Sequence, residues 1–235
     1  MIESGEIRPG TRDPSGVAMQ DRYLRDGKVS AGIVLRKGLV SLVRDPVLLV
    51  VLAMPGPLGF KLRQFYYRRV LGHLGRGAVV DPDVDIIGPK NVYLDDFCYL
   101  GRKCQLVAPE GYIRIGKRCH ITGWILGHGG VEIGNYVGLA GQVLSATDSH
   151  QGGHRMSGPM VPSEQRNIRK RKVIIEDDAF IGHFSMVMPG VRIGRGAVVG
   201  PHSLVVSNVK PWTVVMGSPA KVIGTREPVQ FPDPD

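Results

Sequence analysis

Aromatic residues, cysteine and long apolar runs are scarce in this sequence, and each shortage excludes a class of protein. Aromatic residues make up 6% of the 235 positions, and cysteine occurs three times. Three cysteines are too few for the disulfide framework of a small secreted domain, and they fit a reducing compartment. The longest apolar run, residues 47–54, is shorter than the roughly 20 residues that a transmembrane helix needs. Residues 1–27 are polar and of mixed charge, unlike a secretory signal. We therefore expect a cytoplasmic protein.

Glycine, in contrast, is abundant. Glycine and proline together fill 49 of the 235 positions, about a fifth, against roughly 12% on average. A mainly helical core is excluded, because each interior glycine costs about 1 kcal/mol relative to alanine. With 43% hydrophobic and 22% charged residues the chain is globular. The net charge of +9 favours an anionic partner, but no nucleic-acid-binding motif accompanies it, so we expect no nucleic acid partner.

Composition changes along the chain divide it into four zones. Residues 1–28 are polar and predicted to be mobile. Residues 29–77 show helical periodicity and contain a predicted helix at Leu58–Leu74 that mixes Lys and Arg with Phe and Tyr. That helix would either cap the end of the fold that follows or lie on a membrane surface. Residues 78–226 form the main domain, and residues 227–235 form a tail.

Within the main domain an aliphatic residue recurs every six positions, and a smaller residue stands two positions before each. The first column comprises Ile175, Ile181, Val187, Ile193, Val199 and Val205, and the second Val173, Ala179, Ser185, Val191, Ala197 and Ser203. The same register continues upstream, slipping by about a residue between blocks, with Gly127 and Ser145 as its weak members. A period of six fits neither a helix nor an ordinary strand, but it fits a short strand followed by a corner.

Three such units would build one triangular coil, and Ile115 and Ile133 stand three units apart. Glycine often follows the inward aliphatic residue, and we interpret it as allowing corner angles that a Cβ atom would disfavour. These pairs are Ile87-Gly88, Leu100-Gly101, Ile115-Gly116, Ile133-Gly134, Ile181-Gly182, Ile193-Gly194 and Val199-Gly200. Cys98, Cys104 and Cys119 fall in the small inward position, so we predict that they are buried hydrophobic residues.

The repeat is interrupted once, by an excursion loop at residues 146–172. Loops of this length without structure of their own usually carry function. This one contains His150 and His154, and five basic residues lie between Arg166 and Lys172. The basic run would bind an anionic ligand or remain a solvated loop face.

These patterns resemble the hexapeptide-repeat transferases over roughly residues 78–226. The segment Val143–His150 is similar to the one that carries the catalytic histidine in galactoside, maltose and polysaccharide O-acetyltransferases. The segments Ala179–Val191 and Gly217–Ile223 are similar to theirs as well. The resemblance implies a mainly β fold: a left-handed parallel β-helix with an N-terminal helical segment and one long loop.

It also implies a CoA-dependent O-acyltransferase that moves an acetyl group from acetyl-CoA to a hydroxyl of a sugar or glycan precursor. His150 would be the general base. Asp148 would orient its ring or merely form a local turn, and His154 would contact substrate or lie on the surface. Trp124 would stack on the sugar or simply pack. No metal is expected, because the thioester is already activated.

The resemblance places CoA along the solenoid between subunits of a homotrimer. By motif position, the CoA-binding residues would be Phe180, Gly182, Gly200, Ser203 and Lys221. The acceptor would be a sugar or glycan, with a lipid-linked form and peripheral membrane contact left open.

Two other functions remain as alternatives. A zinc enzyme similar to the γ-carbonic anhydrases shares the expected fold, but its paired histidines stand five residues apart, and Met188 occupies that position relative to His183. His128 and His183 both follow inward positions, so the register predicts that they face outward at corners. A non-catalytic hexapeptide scaffold would not bind CoA at all.

Overall fold

A computed structural model describes residues 49–148 and 168–230. Helix α1 (Gly56–Val70) precedes a parallel β-helix with three sheets and six stacked coils, which confirms the predicted mainly β fold. Sheet 1 contains β1 (His73–Leu74), β4 (Val92–Leu94), β7 (Ile113–Ile115), β10 (Val131–Ile133), β15 (Val173–Ile175) and β18 (Arg192–Ile193). Sheet 2 contains β2 (Val79–Val80), β5 (Tyr99–Leu100), β8 (His120–Ile121), β11 (Gly138–Leu139), β16 (Phe180–Ile181), β19 (Val198–Val199), β21 (Thr213–Met216) and β22 (Lys221–Thr225). Sheet 3 contains β3 (Asp85–Ile87), β6 (Gln105–Val107), β9 (Trp124–Leu126), β12 (Gln142–Leu144), β17 (Met186–Val187) and β20 (Leu204–Val205).

Each coil contributes one strand to each sheet. Coils 1 to 4 run β1–β3, β4–β6, β7–β9 and β10–β12, and coils 5 and 6 run β15–β17 and β18–β20. A short 3-10 helix, Pro89–Asn91, lies at the corner between coils 1 and 2. Between coils 4 and 5 the chain leaves the solenoid as an arm, whose root is the antiparallel pair β13 (Ala146–Asp148) and β14 (Ile168–Lys170).

The predicted inward columns form the core. From Ile175 to Val205, the aliphatic side chain at every sixth position is 1% exposed or less. The smaller residues two positions earlier are 4% exposed or less. Cys98, Cys104 and Cys119 are free thiols, each buried to 1% exposure or less, as predicted. Burial raises the pKa of the Cys104 thiol to about 12, so this group stays protonated and inert.

The register prediction was wrong in coils 3 and 4, where Gly127 and Ser145 do not continue the aliphatic column. Ile125 and Val143 occupy the equivalent inward positions, stacked between Leu106 and Val187. The corner between sheets 2 and 3 is shorter there, because it turns tightly at glycine. A Cβ atom on Gly123 would clash with the backbone oxygen of Gly141 in the next coil. Only glycine permits that approach.

The interpretation of the repeat glycines as conformational also needs correction. Of the seven glycines in these pairs, only Gly88 has a positive φ, and it follows Ile87, which faces outward on β3. The left-handed residue stands three positions after the aliphatic one and is usually not glycine, as the following set shows: Phe97, Lys103, Arg118, Tyr136, Asp178, Phe184 and His202. Glycine directly after the aliphatic residue is required for space. A Cβ atom on Gly116 would lie 2.6 Å from the oxygen of Gly134.

The solenoid is closed at both ends. Helix α1 lies against coil 1, where buried Arg63 donates from Nε to the Val80 oxygen (2.8 Å) and Gln64 to the Ala78 oxygen (3.0 Å). The helix therefore caps the solenoid, as one of the two interpretations predicted. It ends at Val70 instead of Leu74, because His73 and Leu74 pair with coil 2 as a strand.

At the other end β22 folds back antiparallel on β21. No helix in the described part of the chain is long and apolar enough to cross a bilayer. The predicted division at residues 28, 77 and 226 stays a prediction.

Candidate active site

The arm that interrupts the solenoid leaves at Ser145, from the corner between sheets 3 and 1 in coil 4. Asp148 pairs through its backbone with Ile168, at the limit of the described chain. His150 and His154 follow and lie outside the described residues, so their predicted roles stay predictions. The structure nevertheless fixes the course of the arm up to Asp148, two positions before His150.

Hydrogen bonds anchor both strands of the arm root to the coils. Ser145 is fully buried, donates to the Leu126 oxygen (2.8 Å) and accepts from the Gly129 N–H (2.8 Å). The returning strand is tied to the leaving one, since the Arg171 N–H donates to the Ser145 oxygen (2.8 Å). The corner of coil 3 therefore supports the arm from below.

Ion pairs use much of the basic run that ends the arm. Lys170 bonds to Glu110, and Lys172 lies 3.2 Å from both Glu132 oxygens. The bond from Lys170 lowers the pKa of Glu110. The pKa of Glu132 is lowered chiefly by a hydrogen bond from Tyr112, with a further contribution from Lys172. These ion pairs give Lys170 and Lys172, two of the five basic residues of the run, a structural use.

His128 lies near the root of the arm, a position that was not predicted from the sequence. The register predicts an outward corner residue, but His128 is partly buried beneath the arm root, beside Glu110 and Lys170. Its pKa is lowered because burial disfavours the charged imidazolium, an effect that Lys170 adds to and Glu110 opposes. The sequence spacing does place His128 below the arm, because residue 146, the first of the arm, follows His128 by 18 positions, which is one coil of the repeat.

Some of the predicted CoA-binding residues lie on the outer surface of the last coils. Phe180, on β16, is 46% exposed, and a Cβ atom on Gly138 would lie 2.8 Å from its ring. At the next corner Phe184 is 78% exposed and stacks on His202, with 5.0 Å between ring centroids. Lys221 is exposed on β22. Together they offer aromatic surface and one cation to a ligand.

The other predicted CoA-binding residues are used inside the fold. Ser203 is buried, and its hydroxyl accepts from the Gly217 N–H (3.1 Å) and donates to the Pro201 oxygen (3.3 Å). A Cβ atom on Gly182 would lie 2.9 Å from the Val199 oxygen, and one on Gly200 the same distance from Met216 Cγ. The Ser203 hydroxyl is therefore engaged within the protein, and the predicted place of this coil beside pantetheine stays a prediction.

Trp124 is half exposed and faces outward on β9, in register with Gln105 and Gln142 of the adjacent coils. It does not belong to the aromatic surface around Phe180, which lies on another side of the prism. No group of three His, Cys, Asp or Glu residues that could hold a metal occurs among residues 49–148 and 168–230.

Comparisons with known proteins give the fold a family. The family described as "Bacterial transferase hexapeptide (six repeats)" matches residues 172–207. The dTDP-4-amino-4,6-dideoxy-D-glucose acyltransferase of Escherichia coli is 37% identical over 139 residues, covering 58% of this chain and 69% of that enzyme. WbbJ of Escherichia coli K12, whose name describes a lipopolysaccharide biosynthesis O-acetyl transferase, is 35% identical over 40% of this chain and 49% of its own length.

Solved structures of acyltransferases share the fold of this chain. AntD, an N-acyltransferase from Bacillus cereus in complex with dTDP and 3-hydroxybutyryl-CoA, has a TM-score of 0.63 and 25% identity over 72% of this chain and 90% of its own. The resemblance predicted from the repeat is thus confirmed by sequence over most of one acyltransferase and by fold over nearly all of another. The chain belongs to the hexapeptide-repeat transferase family.

Proposed function

We propose that this protein is a CoA-dependent acyltransferase that acetylates a hydroxyl of a sugar or glycan precursor. The observation that carries acyl transfer to a sugar is the 37% identity to a sugar-nucleotide acyltransferase, of which this chain covers 69%. The 35% identity to WbbJ, named a putative O-acetyl transferase, supports a hydroxyl as the acceptor. The structure adds a solenoid interrupted once, by an arm that is anchored just before a histidine.

His150 is the proposed general base. A sugar hydroxyl is a weak nucleophile, and an imidazole that titrates near neutral pH can take its proton during attack on the thioester carbonyl. The C–O bond forms, the C–S bond breaks, and CoA leaves as the thiol. Backbone N–H groups would stabilise the oxyanion. His154 and Asp148 are proposed to contact the acceptor or to orient the ring.

A sugar amine is the second candidate nucleophile. The relative in Escherichia coli is named for an amino sugar, and AntD is an N-acyltransferase. A neutral amine attacks a thioester without prior loss of its proton, so it depends less on a base. The two acceptors are therefore distinguishable by their sensitivity to removal of His150.

The proposed donor site is the aromatic surface formed by Phe180, Phe184 and His202, with Lys221 toward the phosphates. Strand order places β22 three strands from β16, about 14 Å at the usual spacing of neighbouring strands. That separation suits an elongated molecule such as CoA, with the acyl end at one side and the anionic end at the other. No metal participates in the proposed chemistry.

A homotrimer would complete such a site, and sheet 3 offers the interface. Ile87, Val107, Leu126 and Leu144 stand in register as an outward aliphatic column on this sheet. The corresponding outward column of sheet 1 is mostly polar or charged and contains one aliphatic residue: His73, Tyr93, Arg114, Glu132, Ile174 and Arg192. A contiguous apolar strip on one face of a prism is typical of a protein interface. We propose a cytoplasmic trimer, consistent with the three free cysteines.

The test is an acyl-transfer assay that follows both free thiol and product mass. Acetyl-CoA and 3-hydroxybutyryl-CoA would be offered as donors. Acceptors would be dTDP-sugars that differ only in carrying a 4-hydroxyl or a 4-amino group. Thiol release that depends on the hydroxyl sugar supports the proposal, and dependence on the amino sugar alone supports the second candidate. Absence of acetyl-CoA binding by calorimetry would contradict both and favour a scaffold.

A further inference from the structure

The cap helix has two faces of opposite character. On one side Gly59, Arg63 and Tyr67 are buried, with Arg63 bonded to coil 1 and Gly59 lying against the Met54 carbonyl. On the opposite side, Leu58 is 64% exposed and Phe65 is 61% exposed. These two residues are seven positions apart, so they lie on one stripe of the helix. Capping the solenoid accounts for the first face and leaves the second unexplained.

Cations flank the exposed apolar residues. Lys61, Arg68 and Arg69 fall on the same side of α1 by helical spacing, and all three are exposed. The Arg69 guanidinium lies 3.3 Å from the centre of the Phe65 ring and donates to the Phe65 oxygen. Residues 56–70 contain no Asp or Glu. The outer face therefore combines exposed apolar side chains with charged residues that are all cations.

The residues just before α1 extend the apolar character of this end of the molecule. Residues 49–53 are helical, with Leu52 packed against the core. Leu49 and Val50 remain 67% and 57% exposed. Large aliphatic and aromatic side chains are thus exposed repeatedly between Leu49 and Phe65, in a segment whose charges are all positive.

Charge complementarity decides which partner fits. Against a second copy of the same face, Lys61, Arg68 and Arg69 would meet like charges, which is unfavourable. A surface that is both anionic and able to take up Leu and Phe side chains would satisfy both features, as a bilayer with acidic headgroups does. We propose that the outer face of α1, with Leu49 and Val50, binds the surface of an anionic lipid membrane. This surface is separate from the proposed donor site, and the inference does not depend on acyl transfer.

The test is co-sedimentation of the full chain with vesicles. Neutral vesicles would contain phosphatidylcholine alone, and anionic vesicles would include about a third phosphatidylglycerol. The wild-type protein should bind anionic vesicles more tightly than neutral ones, and less so in high salt. K61Q/R68Q removes two cations from the face and should weaken binding about 25-fold, from roughly a fivefold effect for each charge. L58S/F65S should weaken it about tenfold by removing apolar contact.

The matched control is K103Q/K210Q, which makes the same change in net charge at exposed positions away from α1. It should bind nearly as well as the wild type. Equal loss of binding in K61Q/R68Q and K103Q/K210Q would overturn the proposal, because the overall positive charge of the protein would then explain binding. Wild-type binding by K61Q/R68Q and L58S/F65S would overturn it too, by placing the contact elsewhere, and so would no preference for anionic vesicles. All variants should retain the wild-type melting temperature and CoA affinity. Loss of membrane binding can then be told apart from unfolding and from failure of the proposed acyltransferase function.

Discussion

Ser145 and Gly129 join adjacent coils at the point where the arm leaves the solenoid. The Gly129 N–H donates to the Ser145 hydroxyl at 2.8 Å, and that hydroxyl donates onward to the Leu126 oxygen. One buried side chain thus satisfies two backbone groups of the coil below.

Replacing this hydroxyl should loosen the arm root. Ser145→Ala leaves the Gly129 N–H without its partner, while the Leu126 oxygen keeps the Ser145 backbone N–H, and should lower the free energy of unfolding by about 1–3 kcal/mol. The free energy of unfolding would be measured by urea denaturation, followed by circular dichroism. Ser207→Ala, at an exposed position, is the control and should change stability by less than about 0.5 kcal/mol. Equal effects of both variants would contradict the anchoring role.

The next prediction concerns the proposed base. His150→Ala should lower kcat with a hydroxyl acceptor by about 10²- to 10⁴-fold, because general base catalysis contributes that much. CoA affinity should stay unchanged. His73→Ala, an exposed histidine near α1, should leave the rate unaltered. Wild-type turnover by His150→Ala with a hydroxyl acceptor would refute the assignment.

The aromatic surface predicts the strength of donor binding. Phe180→Ala should weaken CoA affinity by about tenfold, as truncation of an aromatic contact residue does. Phe180→Trp should keep the affinity, since it preserves an aromatic face. Phe97→Ala is the matched control, because Phe97 is 41% exposed on an earlier coil. Calorimetric titration with CoA distinguishes them, and equal affinity of the Phe180→Ala variant and the wild type would exclude this surface.

His128 predicts how stability depends on pH. Burial lowers its pKa in the folded protein. Below about pH 6.5, the usual histidine value, the unfolded chain takes up a proton more readily than the folded one. Stability should therefore fall as the pH decreases from 7 to 5. The lowered pKa of Glu110 acts in a separate window, since its contribution is lost only at more acidic pH.

His128→Gln should flatten the pH dependence between pH 7 and 5, as measured by denaturation midpoints at each pH. Ser207→Ala, which changes no titratable group, should leave the pH dependence as in the wild type. An unchanged slope in His128→Gln would show that another group titrates there.

The proposed trimer interface can be tested with one charge. Leu126→Lys on sheet 3 should dissociate the oligomer, because an unpaired cation would be buried between subunits. Ile174→Lys is the matched control: it is also an outward aliphatic residue of similar exposure, but on sheet 1. Sedimentation velocity should show a smaller species only for Leu126→Lys. A monomeric wild-type protein would refute the trimer.

The interior of the solenoid was predictable because burial repeats with the sequence. Ile175 and its successors at every sixth position, and Cys98 with its equivalents, occupy the predicted inward positions. The short corner at Gly123 was not predictable, since it depends on how closely the Gly141 oxygen of the next coil approaches. The left-handed corner residues were missed because ordinary residues such as Lys103 and Arg118 fill them.

For the candidate site, the CoA-binding roles stay predictions: the structure places Phe180 and Lys221 at the surface and buries Ser203. Its place in the motif could not reveal that its hydroxyl is bonded within the coil. The electrostatic influence of Lys170 on His128 could not be predicted either, because these residues are 42 positions apart in sequence and are brought near each other by the stacking of coils. Sequence therefore located the interruption at residue 146, while the groups that hold it became visible only in three dimensions.

The two ends of the solenoid are sealed by different devices, α1 on coil 1 and the β21–β22 pair beyond coil 6. Neither end can accept a further coil without losing its seal. A whole coil inserted between α1 and the arm would move the arm along the prism by about 4.8 Å relative to α1 while leaving the interior columns continuous. A coil inserted beyond the arm would leave that distance unchanged. The number of coils between α1 and the arm thus sets, in fixed increments, how far the arm stands from the cap.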